Sequence, residues 1–368
     1  MEEKKIHLWP VIKYAGAFIA FMIGSGFASG QEIMQFFTSY GLWGVGGALI
    51  SMFLFSWSGA VFTGHGYDHK DDLDFKPFRY YCGKVLGIFF EWFIPIFLFC
   101  VVVVMISGAG ATINQYFGLP NWVGSTAMAV LATLAVLLGL QKLIDIIGCL
   151  GPFTILFTMI IAIYTLVTRG GALANVNETI QNVETNPAAS SWWIAGMLYV
   201  AYNATGSVPF LNGMGAGANS KREVKLGAII GGVLLMLAGI CVSLAMLCDI
   251  ENTAAMEIPI LYLAEFISPV FGTIFSIVII GELFSTAAPM LWVTANKFGK
   301  EGTTKHKIII VVLGVIALVG GQLPFSDLVG IIYPYTGYMG IAFLAIVAVR
   351  CYIIDRKKAK NHVKQTKE

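Results

Sequence analysis

Between Ile23 and Glu32 the chain reads I-G-S-G-F-A-S-G-Q-E, three glycines and two serines set inside a long apolar run. Glycine tolerates most backbone angles, and a helix opened at membrane depth bares backbone groups that lipid cannot satisfy. The opening must therefore face protein or a polar cavity. Amides freed around Ser25, Gly26 and Phe27, at the start of an outer half-helix with the positive end of its dipole behind them, suit a carboxylate. Unpaired carbonyls near Ala20, Met22 and Ile23, at the end of the inner half, suit an ammonium group or a sodium ion. Tight helix packing through small residues accounts for Gly24 and, at most, Gly30. It does not account for five small residues followed by Gln31 and Glu32.

A second polar stretch, Asn203 to Gly213 (N-A-T-G-S-V-P-F-L-N-G), interrupts an apolar run half a chain later. Asn203, Thr205, Gly206, Ser207 and Pro209 predict another opened helix, because proline removes a helical donor and frees a carbonyl one turn back. Tyr199 and Tyr202, just before it, suit either an aromatic lid over a ligand or a place in the core. A third group, Glu282, Ser285 and Thr286, has the spacing i, i+3, i+4, which puts a carboxylate and two hydroxyls on one helical face. Hydroxyls in membrane helices often bond a carbonyl one turn back instead. An ionisable group at mid-span is costly and usually functional, so Glu282 is a candidate proton carrier, charge partner for a cation, or gating contact. Glu32 is placed to line the outer pathway and is also a candidate for a proton or gating role. Glu91 is read as a partner for a basic residue at the inner surface, with a proton or gating role as the alternative. Asp145 is read as a local partner of Lys142.

These residues need a membrane scaffold. The chain is 57% hydrophobic and only 12% charged, with mean hydropathy +0.78, whereas soluble domains carry about 25% charged residues. Its apolar segments reach the roughly 20 residues needed to cross a bilayer. Ten spans are expected, approximately at residues 9–40, 42–63, 85–116, 123–140, 143–168, 192–217, 226–247, 259–298, 308–323 and 328–354, with 259–268 forming a separate interfacial helix before Pro269. With this count and both ends in the cytoplasm, 22 of the 23 basic residues face inward and Arg169 alone faces out, as short cytoplasmic loops require. The outer loops carry Glu178, Glu184, Asp249, Glu251 and Glu257, read as solvated caps. The basic tail, 355–368, is read as a stop-transfer flank with a disordered end. Five spans before the 170–190 loop and five after it insert with opposite orientations, so the halves 9–168 and 192–354 form an inverted repeat within one transmembrane domain. Interrupted helices at matching positions of such halves point to a transporter's substrate site.

All five histidines fall in cytoplasmic segments, and no G-x-x-x-x-G-K-[ST] occurs. These absences argue against an intramembrane hydrolase, a haem protein and nucleotide-driven transport in this chain. Six scattered cysteines without a C-x-x-C pair predict neither a disulfide framework nor zinc.

The first-span motif Ile23-Gly24-Ser25-Gly26-Phe27 resembles that of the amino acid-polyamine-organocation superfamily, with its LeuT-type five-plus-five fold. The extension G-S-G-F-A-S-G-Q-E is similar to that of the YkvI group of bacterial permeases. The resemblance implies an all-α integral membrane protein with broken first and sixth helices. The amides of Ser25, Gly26 and Phe27 would hold a substrate carboxylate, and carbonyls near Met22, Ile23, Tyr202 and Asn203 its amine. It further implies one sodium site formed by the carbonyls of Ala20, Ile23 and Glu282 with the side chains of Ser285 and Thr286. Proton-coupled relatives carry a lysine in the fifth span, where this chain has Gly151, Pro152 and Thr154, so sodium is favoured. Phe27 stands where a second ion would need an amide side chain. Glu282 has no counterpart in the family's ion site, which leaves a proton-coupled or uncoupled carrier, or an exporter, open.

The expectation is a monomeric secondary transporter of the bacterial inner membrane, not an enzyme. It would take up a small amino acid or related zwitterion with sodium, without organic cofactor or nucleic-acid partner. The rival readings are an amino-acid sensor and an ion channel.

Overall fold

The computed structural model describes residues 6–72, 74–139 and 150–365. The segment with Lys142, Asp145 and Cys149 lies outside the described residues. Every regular element among the described residues is helical. The principal helices are α1 (Leu8–Ser29), α2 (Gln31–Phe36), α3 (Trp43–Asp68), α4 (Pro77–Phe117), α5 (Asn121–Leu138), α6 (Leu150–Arg169), α7 (Trp192–Ala216), α8 (Lys221–Leu247), α9 (Pro259–Ile267), α10 (Pro269–Phe298), α11 (Thr304–Gly320) and α12 (Phe325–Gln365).

Local chemistry sets several boundaries. Ser220, Ser268 and Thr303 each accept a backbone amide at the start of α8, α10 and α11, satisfying one of the donors left free at a helix N-terminus. The fixed φ of Pro269 suits the first turn of α10 and separates it from the short α9, as expected. Gly83, with φ +74°, divides α4 into a first turn and the long span proper. In contrast to the expected disordered end, α12 continues as helix through Gln365. Its Arg, Lys and Ala residues are good helix formers.

Among the described residues, seven helices are long and apolar enough to cross a membrane. Three of the ten expected spans fall short for different reasons: α1 is broken at Gly24, α7 is diluted by Asn203, Thr205, Ser207 and Asn212, and α11 has 17 residues. The helix pairing is regular. Helix α1 packs on α8, α7 on α3, α3 on α8, α4 on α10 and α5 on α11. If the two runs of five are exchanged, α1–α8 maps onto α7–α3 and the other three pairs map onto themselves.

Glycines let α3 and α7 approach backbone to backbone. A Cβ on Gly66 would lie 2.1 Å from the carbonyl oxygen of Asn212, one on Gly215 would lie 2.0 Å from that of Thr63, and one on Gly196 would lie 2.4 Å from that of Gly47. Ser51 closes the same interface by donating to the Gly196 carbonyl at 2.8 Å. Contacts this close are the usual means of helix association in lipid, where hydrophobic driving force is absent. The seam fixes α7 against the scaffold and so fixes one wall of the site below.

Candidate functional site

The first predicted opening is present. Gly24 leaves helical geometry at φ +51°, ψ 170°, and Gly30 takes φ +86° where α1 hands over to α2. Between these glycines lies a single turn. Ser29 Oγ donates to the Gly26 carbonyl at 2.9 Å and accepts the Gln31 amide at 3.2 Å. The reversal at Gly30 brings α2 back alongside the opened turn, so the Glu32 carboxylate rests directly on Gly26: a Cβ there would lie 1.8 Å from Glu32 Oε1.

The second predicted opening is absent. Trp192–Ala216 is one helix, and neither Gly206 nor Gly213 takes a positive φ. Its polar residues bond back into the helix itself. Asn203 donates to Tyr199 O at 3.0 Å, Thr205 to Ala201 O at 2.6 Å, Ser207 to Ala204 O at 2.9 Å and Asn212 to Val208 O at 2.8 Å. These side chains offer the helix extra hydrogen bonds rather than an exit from it. The sixth helix is therefore not broken.

A cavity of about 790 Å³ runs between α1, α4, α7 and α10. Lys76 and Pro77 at the start of α4 and Lys297 in the last turn of α10 line its mouth, at the end of the bundle rich in basic residues. Lys297 Nζ sits 4.5 Å over the Trp92 ring. Gly24, Gly26, Glu32, Tyr202, Asn203 and Tyr333 line the cavity wall around the opened turn.

Of the predicted site residues, Ala20, Met22, Ile23, Gly26, Tyr202, Asn203, Glu282, Ser285 and Thr286 line this cavity, together with Glu32 and Glu91. Phe27, Tyr199 and Thr205 do not. Phe27 is buried in the core. Tyr199 is fully buried against Phe36, Phe37 and Phe55, so of its two readings the core is the one realised. Thr205 faces α12, where a Cβ on Gly340 would lie 2.9 Å from its hydroxyl. The backbone of Ser25 follows Gly24 at the opening, and its side chain lies outside the described residues.

Glu32 departs from its expected place. It faces the central cavity instead of an outer pathway, is 5% exposed, and accepts a hydrogen bond of 2.6 Å from the Tyr202 hydroxyl. Gln31 and Gln35, one turn apart on α2, face the opposite side. With Glu184, Glu257 and Asp327 they line a smaller cavity of about 300 Å³ at the end of the bundle rich in acids. Tyr202 stacks on Tyr333 with ring centroids 4.8 Å apart, and Phe97 meets both rings edge-on at 6.4 and 6.5 Å. No local pattern marks Tyr333, one of several tyrosines on α12.

Glu282 is 4% exposed and accepts a hydrogen bond of 3.2 Å from Thr154 on α6. Ser285 donates to the Glu282 carbonyl at 2.8 Å, so one of the oxygens assigned to the ion is engaged within the helix. Glu91 meets its expected partner: Arg79 Nε and Nη2 reach its two oxygens at 2.7 Å each. Such a half-exposed pair at a surface contributes little. Glu91→Gln is accordingly expected to leave uptake by the reconstituted protein within a few-fold of wild type. A loss to background would assign Glu91 a gating or proton role.

Hydrogen bonds tie the elements together at the acid-rich end. Tyr40 donates to Ala189 O at 2.6 Å, and Gln115 bonds both the carbonyl and the amide of Ile258, at 3.0 and 2.9 Å. Two acids read as solvated caps are engaged there. Asp249 pairs with Arg169 and accepts from Tyr262 at 3.0 Å. Glu257 holds the Ser326 amide at 2.8 Å. Burial pushes the Glu257 carboxyl above the usual carboxylate range, opposed by the bonds from Ser326.

No family model matches the chain. It is similar along nearly its whole length to two proteins of Bacillus subtilis (strain 168). The uncharacterized membrane protein YkvI is 24% identical over 347 residues, covering 94% of this chain and 96% of YkvI. The uncharacterized protein YyaD is 23% identical over 345 residues, covering 92% and 96%. Among solved structures, a mutant of the manganese transporter of Eremococcus coleocola matches with a TM-score of 0.58 at 14% identity, covering 95% of this chain and 80% of that one. MhsT in complex with L-phenylalanine matches with a TM-score of 0.58 at 14% identity, covering 91% and 88%. The fold is thus that of LeuT-type transporters, and the chain is a multi-pass membrane protein. The structural neighbours are transporters, not enzymes.

Proposed function

We propose that the protein is a secondary transporter of a small amine-bearing organic solute, working by alternating access. The observation that carries this reading is a cavity lined by Lys76 and Lys297 at one end and by the opened turn at Gly24 deeper in, which we take to open at the lysine end because hydrogen bonds tie the elements together at the acid-rich end. By the positive-inside rule the open end is cytoplasmic, so the conformation is inward-open. The pairing of α1–α8 with α7–α3 supports two halves of five spans related as an inverted repeat, the design in which the halves rock around a site near the bilayer midplane. Ten spans, a plasma-membrane location with both termini in the cytoplasm, and function as a monomer belong to the same reading.

Sodium is the proposed coupling ion. Ala20, Ile23, Ser285 and Thr286 line the cavity from α1 and α10, supplying hard oxygens of the type that sodium prefers. The ion would have to draw the Ser285 hydroxyl away from the Glu282 carbonyl. That existing bond, with the Thr154 contact to the Glu282 carboxyl group, supports a second reading in which Glu282 carries a proton instead. Proteoliposomes given a sodium gradient or a proton gradient at matched membrane potential separate the two. Sodium-driven accumulation abolished by Thr286→Val and Ser285→Ala is the expected result. Accumulation driven only by protons and abolished by Glu282→Gln would replace sodium. Indifference to both gradients would overturn coupled transport.

A further inference from the structure

The opened turn in α1 is the place where a bound amino acid would be expected to lay its carboxylate, and that place already holds one. The Glu32 carboxylate lies against Gly26, so close that a single methyl group there would collide with it. Its one hydrogen bond among the described residues is the donation from Tyr202. The ion pairs among the described residues are Arg79–Glu91, Arg169–Asp249 and Lys221–Asp68. Neither Glu32 nor Glu282 takes part in one, although both are about nineteen-twentieths buried and both line the cavity. The lysines that line the cavity, Lys76 and Lys297, belong to its mouth.

A buried carboxylate without a cation is expensive in a low-dielectric site and stabilises whatever positive charge is brought to it. With Glu32 ionised, a second carboxylate arriving beside it would be repelled. The rings next to Glu32 point to the same ligand chemistry. Phe97, Tyr202 and Tyr333 converge on one another, all three line the cavity, and aromatic ring faces beside an acid are a usual setting for an organic cation.

From this we infer that Glu32 is a built-in stand-in for the carboxylate of a cargo, and that the solute carried is an organic ammonium or guanidinium ion that has no carboxylate of its own. The inference rests on the transporter reading for the location of the site, and narrows its cargo. Glu32 supplies the counter-charge at the opened turn, Tyr202 holds that carboxylate in place, and Glu282 offers a second negative charge across the cavity to a solute with two cationic ends.

Matched pairs that differ in the carboxylate test this directly: agmatine against arginine, phenethylamine against phenylalanine, and choline against glycine betaine. Each is titrated against the full-length protein in detergent while its thermal unfolding is followed, since a ligand that binds the folded state raises the midpoint. In at least one pair the carboxylate-free member should stabilise the wild type at a concentration at least about tenfold lower than its partner. Glu32→Gln, which keeps a side chain able to bond Tyr202, should erase that preference without lowering the unliganded midpoint. Glu178→Gln, at an exposed position in the outer loop, should retain it. Equal or tighter binding of the carboxylate-bearing member in every pair, or a preference that survives Glu32→Gln, would overturn the inference, as would the absence of a shift with all three cations. Counterflow uptake of agmatine and arginine then tests transport separately. Agmatine that binds but never accumulates would topple the transporter reading and leave the cation site standing. Arginine accumulating in place of agmatine would do the reverse.

Discussion

Gly26→Ala is expected to reduce counterflow of whichever carboxylate-free cation stabilises the wild type to background while the protein still elutes as a single species. The added Cβ would lie 1.8 Å from Glu32 Oε1 and 2.6 Å from its Cγ, so Glu32 must leave its rotamer. That movement breaks the 2.6 Å bond with Tyr202. The colliding atoms belong to a side chain and not to backbone, so the fold can adjust. Overpacking costs about 1–3 kcal/mol and losing a hydrogen bond to a carboxyl group a further 1.5–3 kcal/mol or so. The combined loss of stability should therefore be roughly 3 kcal/mol or more. A double-mutant cycle makes the cause visible. In Glu32→Ala protein the same Gly26→Ala change should cost much less, because the group it displaces is gone, and a coupling of about 1 kcal/mol or more is expected between neighbours of this kind. Additive effects of the two changes would show that Gly26 is needed for something other than seating Glu32.

The largest effect on stability is expected at the seam between α3 and α7. An alanine at Gly66 or Gly215 would place a carbon 2.1 or 2.0 Å from a carbonyl oxygen of the opposite helix. Unlike the tip of a side chain, that oxygen cannot move without shifting the whole helix. Each change should cost about 3 kcal/mol or more, read as loss of the monodisperse peak on size exclusion after extraction. Gly213, two residues before Gly215 on the same helix, supplies the control. A Cβ there meets nothing within 4 Å, so Gly213→Ala should be neutral or stabilising by up to about 1 kcal/mol through helix propensity. Loss of folded protein from Gly213→Ala as well would mean that α7 needs its glycines for flexibility and not for close packing.

The two polar stretches show what local sequence can and cannot decide. I-G-S-G-F-A-S-G-Q-E opens the helix because Gly24 and Gly30 adopt positive φ, which other residues resist. N-A-T-G-S-V-P-F-L-N-G has the composition of an opening and remains helical. Asn203, Thr205, Ser207 and Asn212 each turn back onto a carbonyl of their own helix, and α3 and α12 press on it from both sides. Polarity in an apolar run marks where a helix can open. The neighbours determine whether it does.

Hydropathy and the placement of lysine and arginine were enough to establish a multi-pass helical membrane protein. The first glycine-rich motif located the opened turn and pointed to the LeuT-type fold, because burial in lipid constrains the chain locally, residue by residue. The sequence also recognised Glu91 as the partner of a basic residue. It could not place Glu32, since the reversal at Gly30 folds α2 back on α1, and only then does a residue that follows the opening in the chain become the group resting against it. Nor could it separate Tyr202 from Tyr199, three positions apart on α7, of which one faces the cavity and the other the core. The pairings of Glu32 with Tyr202 and Glu282 with Thr154, and the approach of Tyr333 from α12, join segments more than a hundred residues apart. Their distances depend on how whole helices pack, and no local pattern in the chain carries that information.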